Sequence, residues 1–129
     1  MKKKKIIKFA FPMLILILLS FTIIQSELVQ QDESAIIGSW VVENEPFNRW
    51  EFDESKCRWL LYSEIIGEYN YEITNDFAPN GVEFTILTLT NVNNTSNTIE
   101  YTINGIDNSD MMLEYYNGAG IKYIRFTKL

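Results

Sequence analysis

The chain has 129 residues, 47% of them hydrophobic and 14% aromatic, with a formal net charge of −6. That is the length of one ordinary domain, and its negative charge speaks against a phosphate-backbone partner. The sequence holds no histidine and a single cysteine, Cys57, so it lacks the commonest general base, the favoured zinc ligand and any internal disulfide.

The N-terminus places Lys2, Lys3, Lys4, Lys5 and Lys8 ahead of an apolar run over 9–24, broken only by Pro12, Ser20 and Thr22. A cationic segment followed by an apolar one has the form of a secretory signal. The run is 16 residues long, whereas a spanning helix needs about 20. Ser26 is a small residue placed for cleavage. The expectation is a signal peptide over 1–26, with an uncleaved anchor as the alternative. That makes the protein exported, periplasmic or extracellular, with a membrane tether only if the segment is kept. No cysteine lies near 20–27, where a lipid-modified N-terminus requires one, so a lipoprotein is not expected. Without 1–26 the chain keeps 6 basic and 17 acidic residues, a net charge of −11. Such a surface repels nucleic acid and anionic lipid heads, and it favours solubility.

Residues 27–35 are polar and aperiodic and read as an exposed leader. From Ile36 onward, short runs rich in Val, Ile, Thr, Tyr, Phe and Trp alternate with turn clusters. The runs are 39–44, 49–53, 56–65, 68–74, 82–92, 98–104, 111–117 and 121–128. Asn44-Glu45-Pro46 and Asp53-Glu54-Ser55 mark turns, Ile66-Gly67 a tight one, and 75–81 and 91–97 longer loops. Trp50 and Phe52, then Tyr69, Tyr71 and Ile73, then Ile99, Tyr101 and Ile103 alternate with polar residues. This period of two marks half-buried antiparallel strands. The run 82–92 changes phase near Ile86 and Leu87, which predicts a bulge there. No apolar period of 3.6 is sustained after the signal. Eight strands on short links make a meander, and closing it into an up-and-down barrel over 36–129 removes both exposed edges. A two-sheet sandwich is the runner-up, with fewer long crossings than it normally needs.

The order of several short motifs carries a resemblance. Ile37-Gly38-Ser39-Trp40 opens the first strand, and Tyr123-Ile124-Arg125-Phe126 lies in the last. Trp50-Glu51-Phe52-Asp53, Gly67-Glu68-Tyr69-Asn70-Tyr71, Leu87-Thr88-Leu89-Thr90 and Met112-Leu113-Glu114-Tyr115 lie between them. This succession resembles the small lipocalin-like domains of bacterial envelope proteins. The resemblance implies an all-β, eight-stranded antiparallel barrel. It gives Gly38, Trp40 and Arg125 a structural role at the barrel end, with the tryptophan as a plug and the arginine packed across it. The chain lacks the helix and length of full-size lipocalins, so its barrel is expected to be shorter.

Candidate chemistry is sparse. Cys57 sits among apolar neighbours and reads as a small core residue. The carboxylate pairs Glu43/Glu45, Asp53/Glu54 and Glu68/Glu72 fall at turns or on the outer face and read as solvated charges. Asp107-Asn108-Ser109-Asp110 reads as a turn built on side-chain hydrogen bonds. No catalytic residue, metal or cofactor is expected, and the chain is read as a non-enzyme. What remains is the aromatic set. Trp50, Phe52, Trp59, Tyr69, Tyr71, Phe84, Tyr101 and Tyr115 are expected to point inward, as core or as the lining of a pocket for a small, largely apolar ligand. The alternative is a filled barrel acting through its surface, as an envelope interaction module or an inhibitor of a secreted enzyme, with exposed Tyr62, Tyr116 and Phe77 as its tools.

Overall fold

Alternation of apolar and polar residues gives each run one face to bury, and eight such runs satisfy one another in a ring. The computed structural model describes residues 34–129, so the expected signal and most of the leader lie outside the described residues. The strands are β1 (Gly38–Val42), β2 (Glu45–Phe52), β3 (Lys56–Leu61), β4 (Glu64–Phe77), β5 (Glu83–Asn91), β6 (Thr98–Ile106), β7 (Asp110–Tyr116) and β8 (Ile121–Lys128). Each pairs antiparallel with the next, and β1 pairs with β8, closing an up-and-down barrel. All eight expected runs are strands, and the sandwich alternative is excluded.

The inward faces supply Trp40 and Val42 from β1, Trp50 and Phe52 from β2, Leu87 and Leu89 from β5, and Leu113 and Phe126 from β7 and β8, all buried. Ile36 is fully buried just ahead of β1. Cys57 and Tyr101 join the same core. The turns use side chains as much as backbone. Asp53 Oδ1 accepts from the backbone N–H groups of Ser55 and Lys56 at 2.9 and 2.7 Å. Asp107 Oδ1 accepts from Ser109 and Asp110 at 2.7 Å each. Both are aspartate-nucleated turns, as their sequence suggests.

Two local expectations are corrected. The tight turn after β3 is at Tyr62-Ser63, with φ of 50° and 67°, and not at Ile66-Gly67. Residues 65–67 continue β4, where the register shifts opposite Trp59 and Leu60. Gly67 lies beneath the ring of Tyr69, which a Cβ at 67 would approach to 2.8 Å and displace. The bulge expected near Ile86 and Leu87 is absent, and β5 runs in unbroken register with both β4 and β6. The irregularities fall instead at Val41/Val42, Trp59/Leu60 and Ile103/Gly105. Ile86 is apolar because it covers the outer wall, not because the strand has changed phase.

Candidate functional site

Three places could act on another molecule: the aromatic interior, the barrel end and the outer wall. In the interior, Trp50 of β2 is 2% exposed and is ringed by aromatics. Its ring centroid lies 5.0 Å from Phe126, 5.5 Å from Trp59, 5.7 Å from Tyr101 and 6.5 Å from Phe52. Tyr101 in turn meets Tyr115 at 5.8 Å, and Phe52 meets Tyr71 at 5.2 Å. The Trp50–Tyr101 contact matters most. In the closed order, β2 and β6 are four strands apart in either direction, hence diametrically opposed. Rings that touch edge to face across that diameter fill the lumen at their level.

The polar atoms of these rings are partly committed to the wall. Trp59 Nε1 donates to Asn48 Oδ1 at 2.6 Å, and the Tyr71 hydroxyl donates to the Asp53 carbonyl at 2.6 Å. Trp50 Nε1 is buried without a hydrogen-bond acceptor, with aromatic rings as its nearest ring neighbours. Burial pushes the Tyr101 phenol up to about 12, with Tyr115 and Tyr69 adding to the rise. Burial likewise pushes the Cys57 thiol up to about 12, so it stays a protonated thiol at neutral pH.

Of the eight ring positions expected inside, Trp50, Phe52 and Tyr101 are buried, and Trp59, Tyr69, Tyr71 and Tyr115 are partly buried against the core. Phe84 is the correction. Leu87 and Leu89 set the inward parity of β5, so Phe84 and Ile86 fall on the outer face. Both line a cleft on the outside of the wall.

The barrel end gathers around Trp40. Trp40 is fully buried and its Nε1 donates to the Ile36 carbonyl at 2.7 Å. The cation over its ring is Lys128, with Nζ 5.2 Å from the centroid, and not Arg125. In β8 the inward positions are Ile124, Phe126 and Lys128, so Arg125 lies on the outer face opposite Met112 and is exposed. Lys128 Nζ also donates to the Ala35 carbonyl at 3.2 Å. Gly38 makes room for it: φ is 133°, and a Cβ would sit 2.7 Å from Lys128 Cε. These contacts tie residues 35 and 36 to the barrel end and are structural.

Three clefts bounded by described residues open on the wall. One of about 490 Å³ gathers Glu43, Asp107, Asp110, Met112 and Arg125. A second of about 430 Å³ runs past Val41, Pro46, Phe47, Arg49, Tyr62 and Leu129. There Phe47 and Tyr62 stack at 4.8 Å, and Arg49, paired to Glu51 at 3.2 Å, keeps its Nε without an acceptor. The third, of about 240 Å³, lies across β5 to β8 and includes Phe84, Ile86, Glu100, Glu114, Tyr116 and Ile121. Tyr62, Tyr116 and Phe77 are 75%, 73% and 64% exposed. Comparison of the chain with protein-family models, curated proteins and solved structures finds no match in any of the three.

Proposed function

We propose that this chain is an exported, lipocalin-like barrel with a filled lumen, acting through its outer wall as a non-enzymatic interaction module of the cell envelope. The observation that carries the reading is the ring contact between Trp50 and Tyr101 across the barrel diameter, 5.7 Å between centroids. It leaves the aromatics of the interior as core. Large exposed rings on the wall, Tyr62 and Tyr116 foremost, are then the groups free to meet a partner. Export rests on the cationic and apolar N-terminus. Sequencing the N-terminus of protein from its own cells tests that part: a start at residue 27 supports release, and an intact Lys-rich end supports tethering. Pull-down from envelope extract tests the wall. A specific partner is expected, with Tyr62→Ala or Tyr116→Ala reducing its capture. No partner, or capture unchanged in both variants, overturns the reading.

A second reading keeps a small, largely apolar ligand inside the barrel. It is favoured by the buried Trp50 Nε1, which lacks an acceptor, and by the partly buried Tyr69 and Tyr115 beside Tyr101. A ligand carrying one acceptor would satisfy that donor if the rings parted. Native mass spectrometry of the protein from its own cells separates the two. A stoichiometric added mass supports the interior ligand, and a clean apo mass supports the filled barrel.

A further inference from the structure

The surface-acting reading leaves the kind of partner open, and the distribution of charge on the wall narrows it. All the ion pairs formed among described residues lie on β2 to β4 and the turn after β2: Arg49–Glu51, Lys56–Glu68, Arg58–Asp53 and Arg58–Glu68. Glu100 on β6 and Glu114 on β7 make none, and neither does Glu72 farther along β4. Glu114 accepts only from Asn104 Nδ2, at 2.8 Å. These carboxylates are interleaved with apolar side chains in ranks across the strands. One rank reads Thr74, Ile86, Thr102, Glu114 and Tyr123. The next reads Glu72, Thr88 and Glu100. Tyr116 lies opposite Ile121, and both are exposed, at 73% and 57%. Of these, Glu100, Thr102, Glu114, Tyr116 and Ile121 line the cleft of about 240 Å³, with Phe84 and Ile86 as its apolar floor.

We propose that this outer cleft docks an extended segment of a partner protein in which apolar residues alternate, two positions apart, with Lys or Arg. The apolar floor and the exposed Tyr116 and Ile121 take the apolar side chains. Glu100 and Glu114, which line the cleft and have no ion-pair partner of their own, take the cations. Along β7, Glu114 and Tyr116 are same-face neighbours at about 6.5–7 Å, the repeat of same-face residues in an extended segment. Outside the expected signal the chain carries −11, so the long-range field also favours a cationic partner.

This inference rests on the surface-acting reading and can fail separately from it. The test uses fluorescence anisotropy with the full chain and a labelled Leu-Ser-Lys-Ser repeat peptide, against its Leu-Ser-Glu-Ser counterpart. The Lys peptide is expected to bind and to weaken with salt. Glu100→Gln with Glu114→Gln is expected to weaken it by roughly tenfold, the scale of two lost charge contacts in a partly desolvated cleft. Glu45→Gln with Glu64→Gln removes the same charge elsewhere and is expected to change binding less than about twofold. Tyr116→Ala is expected to weaken it by roughly fivefold or more. All these side chains are exposed or partly so, and thermal melts confirm that the variants fold. No binding of the Lys peptide overturns the proposal. Equal weakening by the two glutamine pairs, or no effect of Tyr116→Ala, does so as well. If the proposal falls while a partner is still lost with Tyr62→Ala, the surface-acting reading stands and the docking face lies elsewhere. A ligand found in the lumen overturns that reading itself.

Discussion

Lys128 carries a charge into a place where most residues of β8 could not. Its ammonium sits over the Trp40 ring and on the Ala35 carbonyl, while its stem lies against Gly38. Replacing it with Met keeps the stem and removes both polar contacts. Lys128→Met is expected to cost about 1–2 kcal/mol, the sum of a partly desolvated cation–π contact and one hydrogen bond. Arg125→Met, on the exposed face, is expected to stay within about 0.5 kcal/mol of the parent. Urea titration of the two variants checks the pair, and equal losses would return the role to Arg125. Telling the two apart from sequence requires the parity of β8, which follows from Phe126 being inward. Asp53 gives a pH-dependent counterpart. Hydrogen bonds from the Ser55 and Lys56 backbone, then the Arg58 guanidinium, hold its carboxyl down at about 2. The folded value is below the unfolded one, so the ionised carboxylate stabilises the fold above the ordinary carboxylate range. That contribution is lost as pH falls through about 2. Asn at this position keeps an acceptor oxygen but not the charge. Asp53→Asn is therefore expected to be less stable than the parent at pH 5 and above, with the difference closing between about pH 4 and pH 2. Denaturant midpoints across that range measure it, and a gap that does not narrow would contradict the assignment.

At the scale of the element, strands were legible in the sequence and their irregularities were not. Period-two alternation located all eight strands because each buries one face against a shared core. Turn chemistry misled at β3–β4. Ile66-Gly67 holds the only glycine in the region, yet the chain turns at Tyr62-Ser63, two residues with no special preference for positive φ. Packing outweighs local preference there: Tyr62 stacks on Phe47 at 4.8 Å, and Gly67 is claimed by the ring of Tyr69. Positive φ at both central positions is the geometry of a two-residue hairpin turn, and a non-glycine residue bears about 1–2 kcal/mol in that region. Ser63→Gly relieves this without touching the Tyr62–Phe47 stack, against a greater loss of backbone entropy on folding. The net expectation is a gain of about 0.5–1 kcal/mol, read as a rise of a few degrees in Tm. A fall in Tm would mean that Ser63 makes a contribution the turn geometry does not reveal. Phe84 and Ile86 mislead in the same way, as apolar residues on the outside of a wall, where they line a cleft.

For the whole molecule, whether the barrel is hollow or full was beyond the sequence. It depends on rings from opposed strands, Trp50 and Tyr101, meeting across the diameter. No pattern along one strand encodes that distance. Closure itself has a weak point that topology locates. The β1–β8 seam joins the two ends of the barrel through three paired positions, Trp40↔Lys128, Val41↔Thr127 and Val42↔Phe126. The β4–β5 ladder runs unbroken from Tyr69↔Asn91 to Phe77↔Glu83. Seam partners are far apart in sequence, and parting them leaves the seven consecutive hairpin pairings in place. Opening there breaks fewer ladder pairs than opening any other strand pair, so the seam is expected to be the first sub-global opening of the barrel. The seam is held by Trp40, by Lys128 over it and by flanking bonds from Leu129 N–H to the Ser39 carbonyl and from Glu43 N–H to the Arg125 carbonyl. Hydrogen exchange in the native state is therefore expected to reach the amides of residues 40–42 and 126–128 before those of 69–73 and 87–91. Lys128→Met is expected to speed the first set by roughly tenfold for each 1.4 kcal/mol it costs, while hardly changing the second. Uniform exchange across all four segments would mean that the barrel opens only by unfolding as a whole, and the seam would then be as strong as the ladders beside it.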